Sequence, residues 1–205
     1  MIRKRVFSLS KKLKITEIKP IEQLKYLNSF EIEYETINGK KKKWELVSRH
    51  GVERLENEIK YQQSYTDGTM IFATDEKKEK LIILKEYRVS AGQYIYMFPA
   101  GLIDSDESIE NASIREFKEE TGMNFKPNYI EKERYVSVGI INERVNIAYG
   151  TYSGEPSKNF QEDSEDAEIL IIDKNEAKRI LAEEEVSIRS AMLLQNFFKL
   201  HPFFD

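Results

Sequence analysis

Residues Gly101 to Met123 read GLIDSDESIENASIREFKEETGM, and the fold follows from how this stretch is read. Its fixed points are Gly101, Glu107, Arg115, Glu116, Glu119, Glu120 and Gly122, with bulky apolar residues at Phe117 and Met123. The pattern predicts a helix from about Ser108 to Thr121. Ser105, Asp106 and Ser108 offer acceptors for first-turn amides, and acidic residues there suit the positive end of the helix dipole. Gly122 stands where a left-handed residue commonly stops a helix. At roughly 100° per residue, Ile114, Phe117 and Thr121 share one face, while Ala112, Glu116, Glu119 and Glu120 share another. The first face is expected to pack on a sheet, and the second to present its carboxylates together.

Clustered carboxylates repel one another and are best tolerated beside a counter-charge. An all-oxygen donor set suits a hard cation, Mg²⁺ or Mn²⁺, rather than zinc. The competing reading is a solvated acidic face with i, i+4 pairs to lysine. The preceding glycine loop and the complete spacing favour the metal. Written as G-x5-E-x7-R-E-U-x-E-E-x-G-U, where U is bulky and apolar, the stretch resembles the Nudix box. That box marks a family of hydrolases that cut a nucleoside diphosphate linked to another group. The resemblance implies that Glu116 and Glu120 bind metal together with the backbone carbonyl of Ala100. It also implies an Arg115–Glu107 bridge that braces the loop at Gly101 against the helix.

The chain has 205 residues, enough for one large domain or a domain with a small extension. Hydrophobic residues at 40% and charged residues at 33% describe an ordinary globular protein. A formal net charge of -4 gives no global reason to expect a nucleic-acid partner. The absence of cysteine excludes disulfides and zinc–thiolate sites. The basic start MIRKRVFSLSKKLKI lacks the apolar core of a signal peptide, and no segment is long and apolar enough to span a membrane. The expected location is cytoplasmic.

Along the chain, a short strand is expected near Val6–Leu9. Phe30, Ile32, Tyr34 and Thr36 then alternate with charged residues up to Asn38-Gly39, a dipeptide that favours a type I′ hairpin turn. On the return strand Trp44, Leu46 and Ser48 share one face. Residues 1–55 read as a small antiparallel sheet preceding a catalytic domain of residues 56–205. Glu53–Gln63 is compatible with helix or loop. Strands are expected at Thr69–Thr74, Lys80–Tyr87, Glu131–Ser137, Val145–Tyr152 and Glu168–Ile172. Gly92 and Pro99 punctuate a loop into the box, and a long acidic loop follows Tyr152. Two helices close the chain, near Lys174–Glu184 and Ser187–His201, capped by Asp173 and Ser187. The fold class is α/β (α+β), a mixed-sheet α/β/α sandwich with the small N-terminal antiparallel sheet, as the Nudix resemblance also implies.

The resemblance extends to the ADP-ribose pyrophosphatase-like branch. In KEYRVSAGQYIYMFPAGLID, Arg88 ends a strand and Pro99-Ala100-Gly101 opens the box; in KWELVSR, Trp44 and Arg49 sit where that branch has a tryptophan and an arginine. The resemblance implies that the arginines hold phosphates and that the indole stacks on adenine, roles suited to a guanidinium fork and an aromatic face. The alternatives are structural salt bridges and a core aromatic. SEDAEIL resembles the segment whose glutamate serves the attacking water, which places that role on Glu165, with Glu119 as the fallback. Ser137-Val138-Gly139 departs from the branch, which has proline where this chain has Val138. The expected enzyme is therefore a Mg²⁺-dependent pyrophosphohydrolase converting ADP-ribose to AMP and ribose 5-phosphate. GDP-mannose or another nucleotide sugar is the alternative substrate, and a non-catalytic nucleotide-sensing module the alternative class. The resemblance further implies a homodimer in which the N-terminal sheet reaches across to its partner.

Overall fold

The alternating N-terminal segment forms an antiparallel meander of β1 (Lys14–Gln23), β2 (Asn28–Glu35) and β3 (Lys41–Ser48). The computed structural model describes residues 14–161 and 166–204, so the strand expected near Val6–Leu9 lies outside it. Ile18, Phe30, Ile32 and Leu46 turn inward and meet Leu55 of helix α1 (Val52–Lys60), making a small core. The polar stretch at Glu53–Gln63 is thus helical as far as Lys60, with Arg54–Glu58 and Glu56–Lys60 pairs one turn apart. Trp44 has the parity of Leu46 but remains 49% exposed, outside that core.

The hairpin turn corrects the type I′ expectation. Gly39 N–H donates to the Thr36 carbonyl and Thr36 N–H to the Lys40 carbonyl, each at 2.8 Å. Gly39 has φ of 77°, whereas Asn38 is not left-handed. The connection is therefore a three-residue turn closed by a left-handed glycine. Thr36 Oγ1 accepts the Lys40 N–H at 3.0 Å and so favours this wider closure.

The chain divides into two compact units, Met1–Tyr65 with Tyr135–Arg144, and Thr66–Arg134 with Val145–Asp205. The second contains β4 (Gly68–Thr74), β5 (Leu81–Arg88), β6 (Gln93–Met97), β7 (Ala100–Leu102) and α2 (Ile109–Thr121). It continues through most of β8 (Asn124–Ser137) and β9 (Ile141–Ser153) to β10 (Ala167–Ile172), α3 (Lys174–Glu183) and α4 (Ile188–Phe197). β9 runs parallel to β4, while β5 is antiparallel to β4, β6 and β10, so the sheet is mixed.

Every residue of β4 is buried, as expected of a strand covered on both faces. Met70 and Phe72 pack with Ala177, Ile180, Leu194 and Phe198 of the C-terminal helical layer. Ile71 and Ala73 pack with Phe117 of α2 and with Met123 and Phe125. Helices thus cover both sides of the sheet, giving the expected α/β/α sandwich.

The orientation of α2 differs from its sequence reading. Ala112, Ser113, Phe117 and Thr121 are buried, and Ile114 is 41% exposed. The inward row is Ser113, Phe117 and Thr121, spaced one turn apart. Ser113 tolerates burial because its hydroxyl donates to the Glu110 carbonyl at 2.7 Å. Four strands, β1, β6, β7 and β8, are longer than expected or additional. β1 is irregular around Pro20, and β6 and β7 are short pieces flanking Pro99, whose carbonyl accepts the Ile71 N–H at 2.7 Å. β8 begins at Asn124, well before the expected Glu131.

Candidate metal and catalytic site

Helix α2 is held firmly at both ends. Ser108 Oγ accepts the Asn111 N–H at 3.2 Å, and Gly122 closes the helix with φ of 70°. Lys118 Nζ donates to the Gly122 carbonyl at 2.7 Å, placing a cation at the negative end of the dipole.

Across from it, β7 pairs with the start of β4 through Gly68–Leu102, Thr69–Gly101 and Met70–Ala100. A Cβ on Gly68 would lie 2.5 Å from the Gly101 carbonyl oxygen, so a glycine here permits the strands' close approach. A Cβ on Gly101 would lie 1.9 Å from Glu116 Cδ and 2.1 and 2.2 Å from its carboxylate oxygens. The Glu116 carboxylate therefore fills the space above Gly101. Glu120 reaches the same turn, where its Oε2 accepts the Ala100 N–H at 3.1 Å.

Arg115 ties this assembly together. Its Nε and Nη2 donate to the two Glu107 carboxylate oxygens at 3.0 and 2.8 Å, a bidentate fork. Nη2 also donates to the Leu102 carbonyl at 3.0 Å, and Nη1 to Glu116 Oε1 at 2.8 Å and Glu119 Oε2 at 3.0 Å. Hydrogen bonding from Arg115 holds the Glu107 carboxyl below its ordinary range, and the carboxylates in turn raise the Arg115 guanidinium above its own. The counter-charge on this acidic face is thus an arginine rather than i, i+4 lysines. Glu119 is 47% exposed at its side chain, against 15% for Glu116.

The structure also ties the loop after β9 to α2. Ser157 N–H donates to the Thr121 carbonyl at 2.9 Å, and Gln161 Nε2 to the Glu120 carbonyl at 2.7 Å. Lys118 Nζ lies 5.0 Å from the Phe160 ring centroid. Neither Ser157 nor Gln161 carries a local sequence signal; the only trace is Gly122, where a Cβ would lie 2.5 Å from the Ser157 carbonyl oxygen. Glu165 lies outside the described residues.

Gly101, Glu107, Arg115, Glu116, Glu119, Glu120 and Ala100 are thus brought together. The remaining candidates lie elsewhere in the chain. Arg88 ends β5 and donates to Glu86 Oε1 at 2.6 Å. Trp44 and Arg49 belong to the first unit, where Arg49 Nε donates to Glu143 Oε1 at 2.5 Å.

Among the described residues no three Asp, Glu or His side chains form a metal-holding group on their own. The donors offered at the Ala100–Gly101 turn are two carboxylates and main-chain oxygen. Both carboxylates are drawn onto that turn, one into the cradle that Gly101 leaves open. Hard oxygen donors in this arrangement fit a divalent cation of the Mg²⁺ or Mn²⁺ kind.

A family model described as the NUDIX domain matches residues 64–195. The chain belongs to the Nudix family. This Nudix chain is 34% identical over 100 residues to a putative nudix hydrolase 2 of Caenorhabditis elegans, covering 48% of this chain and 41% of that protein. It is 28% identical over 121 residues to the ADP-ribose pyrophosphatase of Saccharomyces cerevisiae, covering 57% and 48%. It is 30% identical over 103 residues to the ADP-sugar pyrophosphatase of Mus musculus, covering 48% and 47%. The chain spans about half the length of the curated relatives it matches. A crystal structure of an ADP compounds hydrolase superposes with a TM-score of 0.68 at 19% identity, covering 92% of this chain and 95% of that one. That likeness carries the fold.

Proposed function

We propose that this Nudix protein is a pyrophosphohydrolase, dependent on Mg²⁺ with Mn²⁺ as a substitute, that cleaves ADP-ribose to AMP and ribose 5-phosphate. The observation that carries the reading is the meeting of two carboxylates on one turn: Glu116 in the cradle above Gly101 and Glu120 on the Ala100 amide. The yeast and mouse relatives, named for ADP-ribose and ADP-sugars, support the substrate class.

Glu116, Glu120 and the Ala100 carbonyl would hold the divalent cation, which would supply Lewis-acid charge for a diphosphate. Arg115 keeps the loop and helix in register and offsets the negative charge of Glu107, Glu116 and Glu119. Glu165 takes the proton of the attacking water, with Glu119 as the fallback base. Arg49 and Arg88 offer guanidinium forks to phosphate, and Trp44 offers an indole face to adenine. Within the same reading, residues 1–55 form a dimerisation and substrate-binding element, residues 56–205 the hydrolase domain, and the enzyme is a cytoplasmic homodimer.

A second reading keeps the chemistry and changes the sugar. Val138, in place of the branch's proline, favours GDP-mannose or another nucleoside diphosphate sugar. Nucleotide release from ADP-ribose and from GDP-mannose, with Mg²⁺, separates the two. Fast AMP release that drops about 100-fold or more in Glu120→Gln supports the primary reading. Preference for GDP-mannose selects the second, and turnover of neither leaves a nucleotide-sensing module.

A further inference from the structure

Three adjacent strands each place one residue at the level of the box turn: Gly101 on β7, Thr69 on β4 and Asn146 on β9. Thr69 is paired directly with Gly101 on one side and with Asn146 on the other. Alternation puts all three on the α2 side of the sheet, because Ile71, Ala73 and Ala148 of the same parity pack there with Phe117. Thr69 is 0% exposed and Asn146 3%.

Both side chains carry a buried polar atom, Thr69 Oγ1 and Asn146 Oδ1, without a hydrogen-bond partner among the described residues. Asn146 is anchored at its other end, where Nδ2 donates to the Glu131 carbonyl at 2.9 Å. That bond fixes which end of the amide is the acceptor. Leaving either group orphaned is destabilising, and an apolar side chain of the same shape would avoid that penalty. Packing alone therefore does not explain a threonine and an asparagine here. The Glu116 carboxylate occupies the Gly101 position of the same row. Directly opposed side chains in an antiparallel pair are about 4.5–5.5 Å apart, the span of two hydrogen bonds through one water.

We propose that Thr69 Oγ1 and Asn146 Oδ1 hold one internal water against the Glu116 carboxylate, and that both are positioning residues for the metal site. The hydrogen-bond count closes. The water accepts from the Thr69 hydroxyl, donates one proton to Asn146 Oδ1 and the other to a Glu116 oxygen. Three partners are what a buried water ordinarily needs, and both orphaned atoms are satisfied. Glu116 is then steered from two directions, by Arg115 Nη1 at 2.8 Å and by the water from within the sheet. Partners that orient a metal-binding carboxylate set its readiness to bind.

The inference rests on Glu116 being a metal ligand, so the test separates the two claims. Mn²⁺ binding is titrated by electron paramagnetic resonance, without substrate, for the native chain, Thr69→Val, Thr69→Ser and Glu120→Gln. Thermal unfolding is recorded alongside. The expected result is roughly 10–100-fold weaker Mn²⁺ binding in Thr69→Val, with its melting temperature kept or raised, and near-native binding in Thr69→Ser. Native Mn²⁺ affinity in Thr69→Val overturns the positioning role while the metal site stands. Absent native binding, or binding indifferent to Glu120→Gln, overturns the metal reading and this proposal with it. An atomic-resolution crystal structure of the native chain gives a check that needs no variant to fold. It should show an ordered water within about 2.6–3.2 Å of Thr69 Oγ1, Asn146 Oδ1 and Glu116, and an empty position overturns the proposal.

Discussion

The Glu116 carboxylate stands where a side chain on Gly101 would have to be, 1.9 Å from an ideal Cβ at that glycine. The group in the way is the far end of a flexible side chain, not backbone. An added methyl can push it aside at small cost to the fold, but the carboxylate then leaves the turn it shares with Glu120. Gly101→Ala is therefore expected to unfold within about 1 kcal/mol of the native chain. Its Mn²⁺ affinity and its hydrolase activity should fall roughly 10–100-fold. Calorimetric melting beside a metal titration checks both halves; equal losses of stability and binding would mean that Gly101 matters to the fold rather than to the metal.

Glu107 links the stability of the box to pH. The Arg115 fork lowers the folded-state pKa of Glu107 below its ordinary value of 4.5. A depressed carboxylate contributes stability that is fully present above the unfolded-state value and is lost as pH falls through the folded one. Glu107→Gln should therefore melt below the native protein at neutral pH, and the gap should narrow below about pH 4.5 as the native carboxyl protonates. Melting temperatures measured from pH 7 to pH 3 test this. A gap that stays constant across that window would show that the ionic pair is not its source.

The left-handed Gly122 is expected to be among the least replaceable residues near the site. Its φ is 70°, and a Cβ there would lie 2.5 Å from the Ser157 carbonyl oxygen and 2.9 Å from its nitrogen. Both obstacles are backbone, so the loop itself must move. Gly122→Ala adds the conformational cost of a left-handed residue, about 1–2 kcal/mol, to that displacement. The expected outcome is a loss of at least about 2 kcal/mol in denaturant unfolding, together with faster amide exchange at Ser157, whose N–H is bound to Thr121. Unchanged exchange at Ser157 would show that the loop and the helix end are independent.

What could be read in the sequence was what is local. The box glutamates, Arg115 and Glu107 lie on one helix and its entry loop, so their spacing sufficed to bring them together. The caps Ser108, Asp173 and Ser187 act within three residues of themselves and were equally legible. The partners supplied by distant chain were not. Gly68 faces Leu102, Asn146 stands beside Thr69, and Gln161 meets Glu120, pairings that depend on strand register and loop path. β6 and β7 are too short to show a period beside Pro99, and the turn at Thr36–Lys40 was settled by a threonine hydroxyl rather than by the Asn-Gly dipeptide.

The rotation of α2 offers the sharpest test of the sheet packing. The sequence reading puts Ile114 and Phe117 on one buried face, whereas the structure buries Phe117 completely and leaves Ile114 41% exposed. Phe117 packs among Ile71, Ile82, Ala148 and Phe125, its ring 5.3 Å from that of Phe125, so truncation leaves a cavity that the surrounding strands cannot close. Phe117→Ala should cost about 3–5 kcal/mol. Ile114→Ala exchanges a β-branched residue for a better helix former at a half-open position and should stay within about 1 kcal/mol. Urea unfolding of the two variants at pH 7 decides between the orientations. Comparable losses would put Ile114 back on the buried face and shift Ser113 and the Glu116 carboxylate around the helix with it.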